Sequence, residues 1–154
     1  YKLKATKNGP DHSAALDVLR DLANVYARSG QGQKASTAVV SYLDAKRKQL
    51  GKDSLLFTFH LAAVGSELLD CGQWATAESV LRECLASREK LLADAWMTAH
   101  TRSLLGEALL GQKKNADAEQ LLVKGYEGLK DREKQIPSGE TCLPDALDRL
   151  VALY

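Results

Sequence analysis

Proline is scarce in this chain. Pro10, Pro137 and Pro144 are the only three in 154 residues, so nothing between the first and second of them forbids continuous helix. Aromatic residues make up 6%, and alternation of period two never lasts beyond a few residues, which argues against strands. No apolar run approaches the roughly 18 residues that span a membrane. The opening Tyr1-Lys2-Leu3-Lys4 has neither the apolar segment nor the cleavage site of a secretory signal. The three cysteines, Cys71, Cys84 and Cys142, are odd in number and lack paired spacing, so neither a disulfide framework nor a metal site is expected. A reducing, cytoplasmic setting follows. Charge of one sign is also missing: Lys+Arg number 21 against 20 Asp+Glu. Only Lys46-Arg47-Lys48 is locally positive and reads as a solvated helix face, so neither nucleic acid nor a membrane is an expected partner.

What the chain has instead is self-similarity. Leu104–Leu122, LLGEALLGQKKNADAEQLL, reads as a helix, a tight polar turn and a second helix. Its counterparts are VGSELLDCGQWATAESVL at Val64–Leu81 and LANVYARSGQGQKASTAV at Leu22–Val39, offset by 41 and then 42 residues. A period of about 40 residues marks a stacked repeat of supersecondary units. Ala23, Gly65 and Gly106 hold one small-residue place in the first helices, and Ala35, Ala77 and Ala118 hold another in the second. Leu22, Val64 and Leu105 should fill the seam between them. One helix pair cannot bury both its faces, so each pair leans on its neighbours.

In order along the chain, residues 1–8 read as the end of a repeat. Units then follow at 9–51, 52–93 and 94–136, and 140–154 opens a further one. Asn8-Gly9-Pro10-Asp11 should stop one helix and start the next. Ile136 to Pro144, with Pro, Ser and Gly, is the expected mobile loop. The predicted architecture is all-α: a right-handed solenoid of antiparallel helix pairs with about seven helices, forming one domain.

These small, large and aromatic positions resemble the tetratricopeptide repeat. Leu19, Leu22, Ala23, Tyr26, Ala35, Val39 and Tyr42 match its signature. The second copy offers Leu61, Val64, Gly65, Leu68, Ala77, Leu81 and Cys84. The third, with Arg102, Leu105, Gly106, Leu109, Ala118, Leu122 and Gly125, departs at its first position. The period of about 42 and Gly9-Pro10-Asp11-His12 resemble the kinesin-light-chain type of repeat and its linker. From Asp94 to Tyr154 the chain is similar to bacterial arrays, many of them fused behind a serine/threonine protein kinase domain. The resemblance implies peptide or protein binding without catalysis or cofactor. The asparagine ladder of kinesin-light-chain repeats is replaced by Arg20, Ala62, Ser103 and Asp148, which cannot provide a uniform amide clamp.

Several constellations invite a chemical reading. Gly106 to Lys113 comes near a phosphate-binding loop, but the Lys is displaced, no Ser or Thr follows, and the stretch reads as helix. His12, His60 and His100 are too separated from one another and from the thiols for a metal site. Glu78 and Glu119 recur at equivalent places and read as an exposed helix face rather than an acid–base pair. Trp74 is expected to plug a helix junction, and Trp96 and Met97 to pack between units. Repeat geometry puts Arg20, Asn24, Arg28, Phe59, Ala62, Ser66, Leu69, Asp70, His100, Ser103, Glu107 and Leu110 on a concave face of mixed polarity. An extended or helical segment with one or two apolar anchors would suit it. The predicted function is a non-catalytic interaction module. The alternatives are self-association through the terminal helices, giving a homo-oligomer, or a docking or regulatory region of a repeat-containing kinase.

Overall fold

The computed structural model describes residues 13–154. The expected helix end at 1–8, the Asn8–Asp11 stop and the linker with His12 lie outside the described residues. Seven α-helices and one short 3-10 turn account for the described chain, with no strand among the described residues. Two compact units divide it, the first ending at Gln73 and the second running Trp74–Tyr154.

In the first unit, α1 (Ser13–Arg28) packs on α2 (Gly32–Leu50), and α2 on α3 (Leu55–Asp70). Apolar residues three and four apart supply the inner stripe of each helix. Leu16, Leu19, Ala23 and Ala27 of α1, Ala35, Val39 and Tyr42 of α2, and Phe57, Leu61, Val64 and Leu68 of α3 are all buried. Leu22 is only half-buried, so the small Ala23 occupies the seam more fully than its large neighbour. Gly32 opens α2 instead of extending the preceding turn.

The second unit holds α4 (Trp74–Leu91), α5 (Trp96–Gly111), α6 (Asn115–Asp131) and α7 (Cys142–Val151). Leu109, Ala118 and Leu122 form one cluster with Leu121, Leu150 and Leu153 against it. Ala99, Leu129, Cys142 and Ala146 form another, packed by Trp96, Tyr126, Ile136 and Leu143. Trp96 therefore belongs to the packing, as expected. A 3-10 turn at Glu133–Gln135 precedes the expected loop, Ile136 to Pro144, which is shorter than its composition implied because Cys142-Leu143-Pro144 form the first turn of α7. Proline is tolerated there because a first-turn N–H has no intrahelical partner to lose.

One turn recurs. After α1, α3 and α5 the backbone swings to positive φ at Gly30 (73°), Gly72 (68°) and Lys113 (62°). The following amide in each case reaches back to the last turn: Gln31 to Tyr26 O at 2.9 Å, Gln73 to Leu68 O at 2.9 Å, Lys114 to Leu109 O at 3.0 Å. This six-to-one closure satisfies carbonyls that a helix end otherwise leaves open. Two of the three positions carry the residue for which positive φ is free of Cβ strain; Lys113 is the exception.

Candidate binding faces

Close helix approach underlies both faces. A Cβ on Gly106 would lie 2.7 Å from Leu122 Cγ, and one on Gly125 2.7 Å from the backbone nitrogen of Ser103. The near-phosphate-loop glycines thus sit within helix α5, where Gly106 serves contact with α6. Gly111 lies under Trp74, whose ring would stand 2.3 Å from an added Cβ. Trp74 plugs that junction, as its position after a turn implied.

In the first unit the predicted residues divide by exposure. Arg20 of α1 pairs with Glu67 of α3, and this hydrogen bond, more than any other influence, raises its pKa. Both side chains keep about a third of their surface in water, so the pair contributes about 0–1 kcal/mol. Asn24, Ala62 and Ser66 are half-buried, and Arg28 and Asp70 are exposed. Phe59 keeps 43% of its surface accessible. Leu69 does not join them. At 4% exposure it lies in the core beside Leu68, because α3 buries two adjacent residues near its end. Behind this face the Tyr42 hydroxyl meets His60 Nδ1 at 2.8 Å. Burial raises the Tyr42 pKa and lowers that of His60, helped by the charges of Lys46 and Arg20.

In the second unit His100, Ser103 and Glu107 gather around Arg149 of α7, which the sequence reading missed. Arg149 pairs with Glu107, and its Nη1 lies 3.4 Å from Ser103 Oγ. Ser103 is fully buried, so it supports the arginine instead of facing a partner, a second departure from expectation. His100 stacks on Trp96 with centroids 6.3 Å apart. Burial, then the charges of Arg149 and Arg88, lowers its pKa to about 4. A shallow hollow of about 360 Å³ opens beside this group, lined by Trp74, Glu107, Leu110, Asp148 and Arg149.

Glu78 overturns the reading of an exposed face. Its side chain is 15% accessible; it accepts from Lys114 Nζ at 2.8 Å and Gln112 Nε2 at 2.8 Å, and pairs with Arg82. Lys114 foremost among these donors lowers its pKa to about 2. Glu119 is exposed and accepts from the Tyr154 hydroxyl at 2.8 Å. A second buried charge, Arg88, donates to Met97 O at 3.0 Å and Thr101 Oγ1 at 2.8 Å. The spacing Ala77, Leu81, Cys84, Arg88 repeats on one helix face, so its burial was there to be read. Among the described residues no group of three potential metal ligands converges, and no helix is long and apolar enough to cross a membrane.

Residues 61–94 match the family described as tetratricopeptide repeat. No curated protein matches the chain. Among solved structures it is similar to a Podosopora anserina protein named for a putative kinesin light chain with nearly identical TPR-like repeats. The match is 18% identical, covers 99% of this chain and 72% of that one, and has a TM-score of 0.67. A second structure, of a single-substitution variant of that protein, matches at 18% identity over 99% of this chain and 71% of that one, with a TM-score of 0.68. At this identity the likeness establishes a shared fold.

Proposed function

We propose that this chain, whose residues 61–94 match the tetratricopeptide repeat family, is a non-catalytic scaffold for protein–protein interaction and binds a peptide or protein segment on the face of its first unit that carries Phe59. The observation that carries the reading is Phe59, an aromatic side chain 43% accessible on α3. Ala62 and Ser66 follow it three and seven residues later on the same helix face, and both are half-buried. Aromatic side chains, phenylalanine among them, are enriched at protein interfaces relative to the rest of the surface. The Arg20–Glu67 pair beside them keeps both charges neutralised within the protein, so the face favours an apolar anchor over a strongly charged one. The hollow beside Leu110 and Trp74 offers the second unit a niche of its own for an apolar side chain. Buried free thiols at Cys84 and Cys142 support a reducing compartment.

Replacing Phe59 by Ala, alone and with Arg20→Ala, tests this. Proteins retained by the immobilised chain are expected to fall at least about tenfold in recovery, equivalent to about 1.4 kcal/mol, with far-UV circular dichroism unchanged. An unchanged set of retained proteins would show that this face is not where partners bind.

A further inference from the structure

The end of the first unit where α2 gives way to α3 carries an unbalanced charge. Between Lys46 and Ser66 the sequence has Lys46, Arg47, Lys48 and Lys52 against the single carboxylate Asp53, although the whole chain is nearly neutral at +1. Arg47 is taken up by Asp44 and stands over the Phe57 ring at 5.4 Å. Lys46 lies over the Tyr42 ring at 5.8 Å, and the Tyr42 hydroxyl meets His60 of α3. The basic end of α2 therefore lies beside the first turns of α3. Lys48 and Lys52 are exposed. The same end is also apolar: Leu55 is 38% and Leu56 60% accessible. From Lys46 through Leu56 no residue is buried, so this end projects from the unit. The basic run that reads in the sequence as a solvated helix face thus has exposed leucines beside it.

We propose that this end, Lys46 to Leu56, docks on the surface of a membrane that carries anionic lipid. Two features select that occupant. Lysines at a membrane-facing surface are drawn to anionic headgroups, and Asp53 alone does not reverse the sign set by Lys46, Lys48 and Lys52. Interfacial binding grows with the apolar area buried at the headgroup boundary together with that attraction, and Leu55 and Leu56 supply the apolar area. The shape favours a bilayer over a protein segment, because peptide recognition lays its anchors in a groove whereas an interface accepts side chains that project. The stems of Lys48 and Lys52 are long enough to lie along apolar surface with the ammonium at the headgroups. Such a contact lies on a bilayer, so it needs no helix that crosses one.

The test uses the full chain and vesicles of phosphatidylcholine, either alone or with about 30% phosphatidylserine to supply negative charge. Co-sedimentation in about 0.1 M salt is expected to show the chain binding the charged vesicles at least about tenfold more tightly than the neutral ones. Lys48→Glu with Lys52→Glu, and separately Leu55→Ser with Leu56→Ser, should each lose at least about tenfold in that affinity while keeping the parent circular dichroism and melting temperature. Raising the salt to about 0.5 M should release the chain, because screening shortens the reach of the lysines. Equal binding to the two vesicles, or indifference to either pair of substitutions, overturns the proposal. A fluorescein-labelled peptide with leucine at helical period and glutamate elsewhere supplies the rival occupant. If anisotropy shows it bound through Lys48 and Lys52 while the vesicles stay free, the end belongs to an acidic protein segment and the membrane is refuted. A dimer in sedimentation velocity that the leucine pair dissolves would assign it to a second copy with the same consequence. Vesicle binding and the recovery of proteins on the Phe59 face are separate readouts, so each reading can fail alone.

Discussion

Gly125→Ala places the clearest quantitative demand on the structure. The added Cβ would stand 2.7 Å from the backbone nitrogen of Ser103 and 3.0 Å from its Cα. Ordinary contact needs about 3.5 Å, so α5 and α6 must part by roughly half an ångström or more. A backbone cannot turn aside as a side-chain tip can. Ser103, Leu104, Leu105 and Ala108 are buried around the contact, so the displacement spreads along the seam. Overpacking of this kind costs about 1–3 kcal/mol. Ala over Gly in a helix interior returns up to about 1 kcal/mol. The expected net loss is therefore about 1–2 kcal/mol, at about 2–4 °C per kcal/mol for a chain of this size. Urea and thermal melts followed by far-UV circular dichroism read it directly. Gly32→Ala is the matched control: its Cβ would meet only the side-chain amide of Gln73, whose oxygen lies at 2.7 Å. That flexible tip can swing away, and the variant should be neutral or slightly stabilised. If Gly125→Ala melts at or above the parent temperature, the backbone contact is not what requires glycine.

His100 gives a pH dependence. Its folded pKa, about 4, lies below the ordinary value of 6.5, so the unfolded chain binds the proton more readily. Stability is complete above about pH 6.5 and falls as pH drops toward 4. Between about pH 7.5 and 5 the loss is up to about 2 kcal/mol, and His100→Gln should flatten that part of the urea-midpoint profile. For the Glu78–Lys114 pair, a double-mutant cycle with Glu78→Gln and Lys114→Met should return a coupling of about 0.5–1 kcal/mol. That coupling should weaken as pH falls from the ordinary carboxylate range and be lost as pH passes through about 2, where Glu78 takes up its proton in the folded chain. A null coupling at neutral pH would remove the pair from the account. Iodoacetamide should modify Cys71 in the folded protein and reach Cys84 and Cys142 only on unfolding, since those two thiols are buried while Cys71 is partly accessible. Mass spectrometry after timed quenching reads the order, and early loss of the Cys84 thiol would contradict it.

The helical architecture and its seams were legible because they are written in periodic positions. Ala35, Ala77 and Ala118, each fully buried, stand at places marked by spacing alone. Side chains that meet across the sequence were not. Glu78 reads as a surface carboxylate until Lys114 and Gln112, 36 and 34 residues later, fold beside it. Arg149 carries no mark that it will close over Ser103 and Glu107, which lie 46 and 42 residues earlier in the sequence. Leu69 and Ser103 were misplaced for a related reason. Repeat geometry assigns a direction to each position, but tight packing at a helix end or under an arginine can bury a residue that points outward by register. Phe59 remained exposed where position predicted exposure.

The turn shared by α1, α3 and α5 makes a standard coupling. Each joint needs one residue at positive φ, followed by an amide that reaches back to the helix just ended, and Gly30-Gln31 and Gly72-Gln73 meet that need with the same dipeptide. Removing residues 31–72 would join Gly30 to Gln73 and keep the Gly-Gln dipeptide of the joint. In a quasi-one-dimensional stack, where stability accumulates unit by unit, such a joint makes length adjustable in whole increments. The grammar that fixes the path of the chain is therefore separable from the side chains that choose its partners.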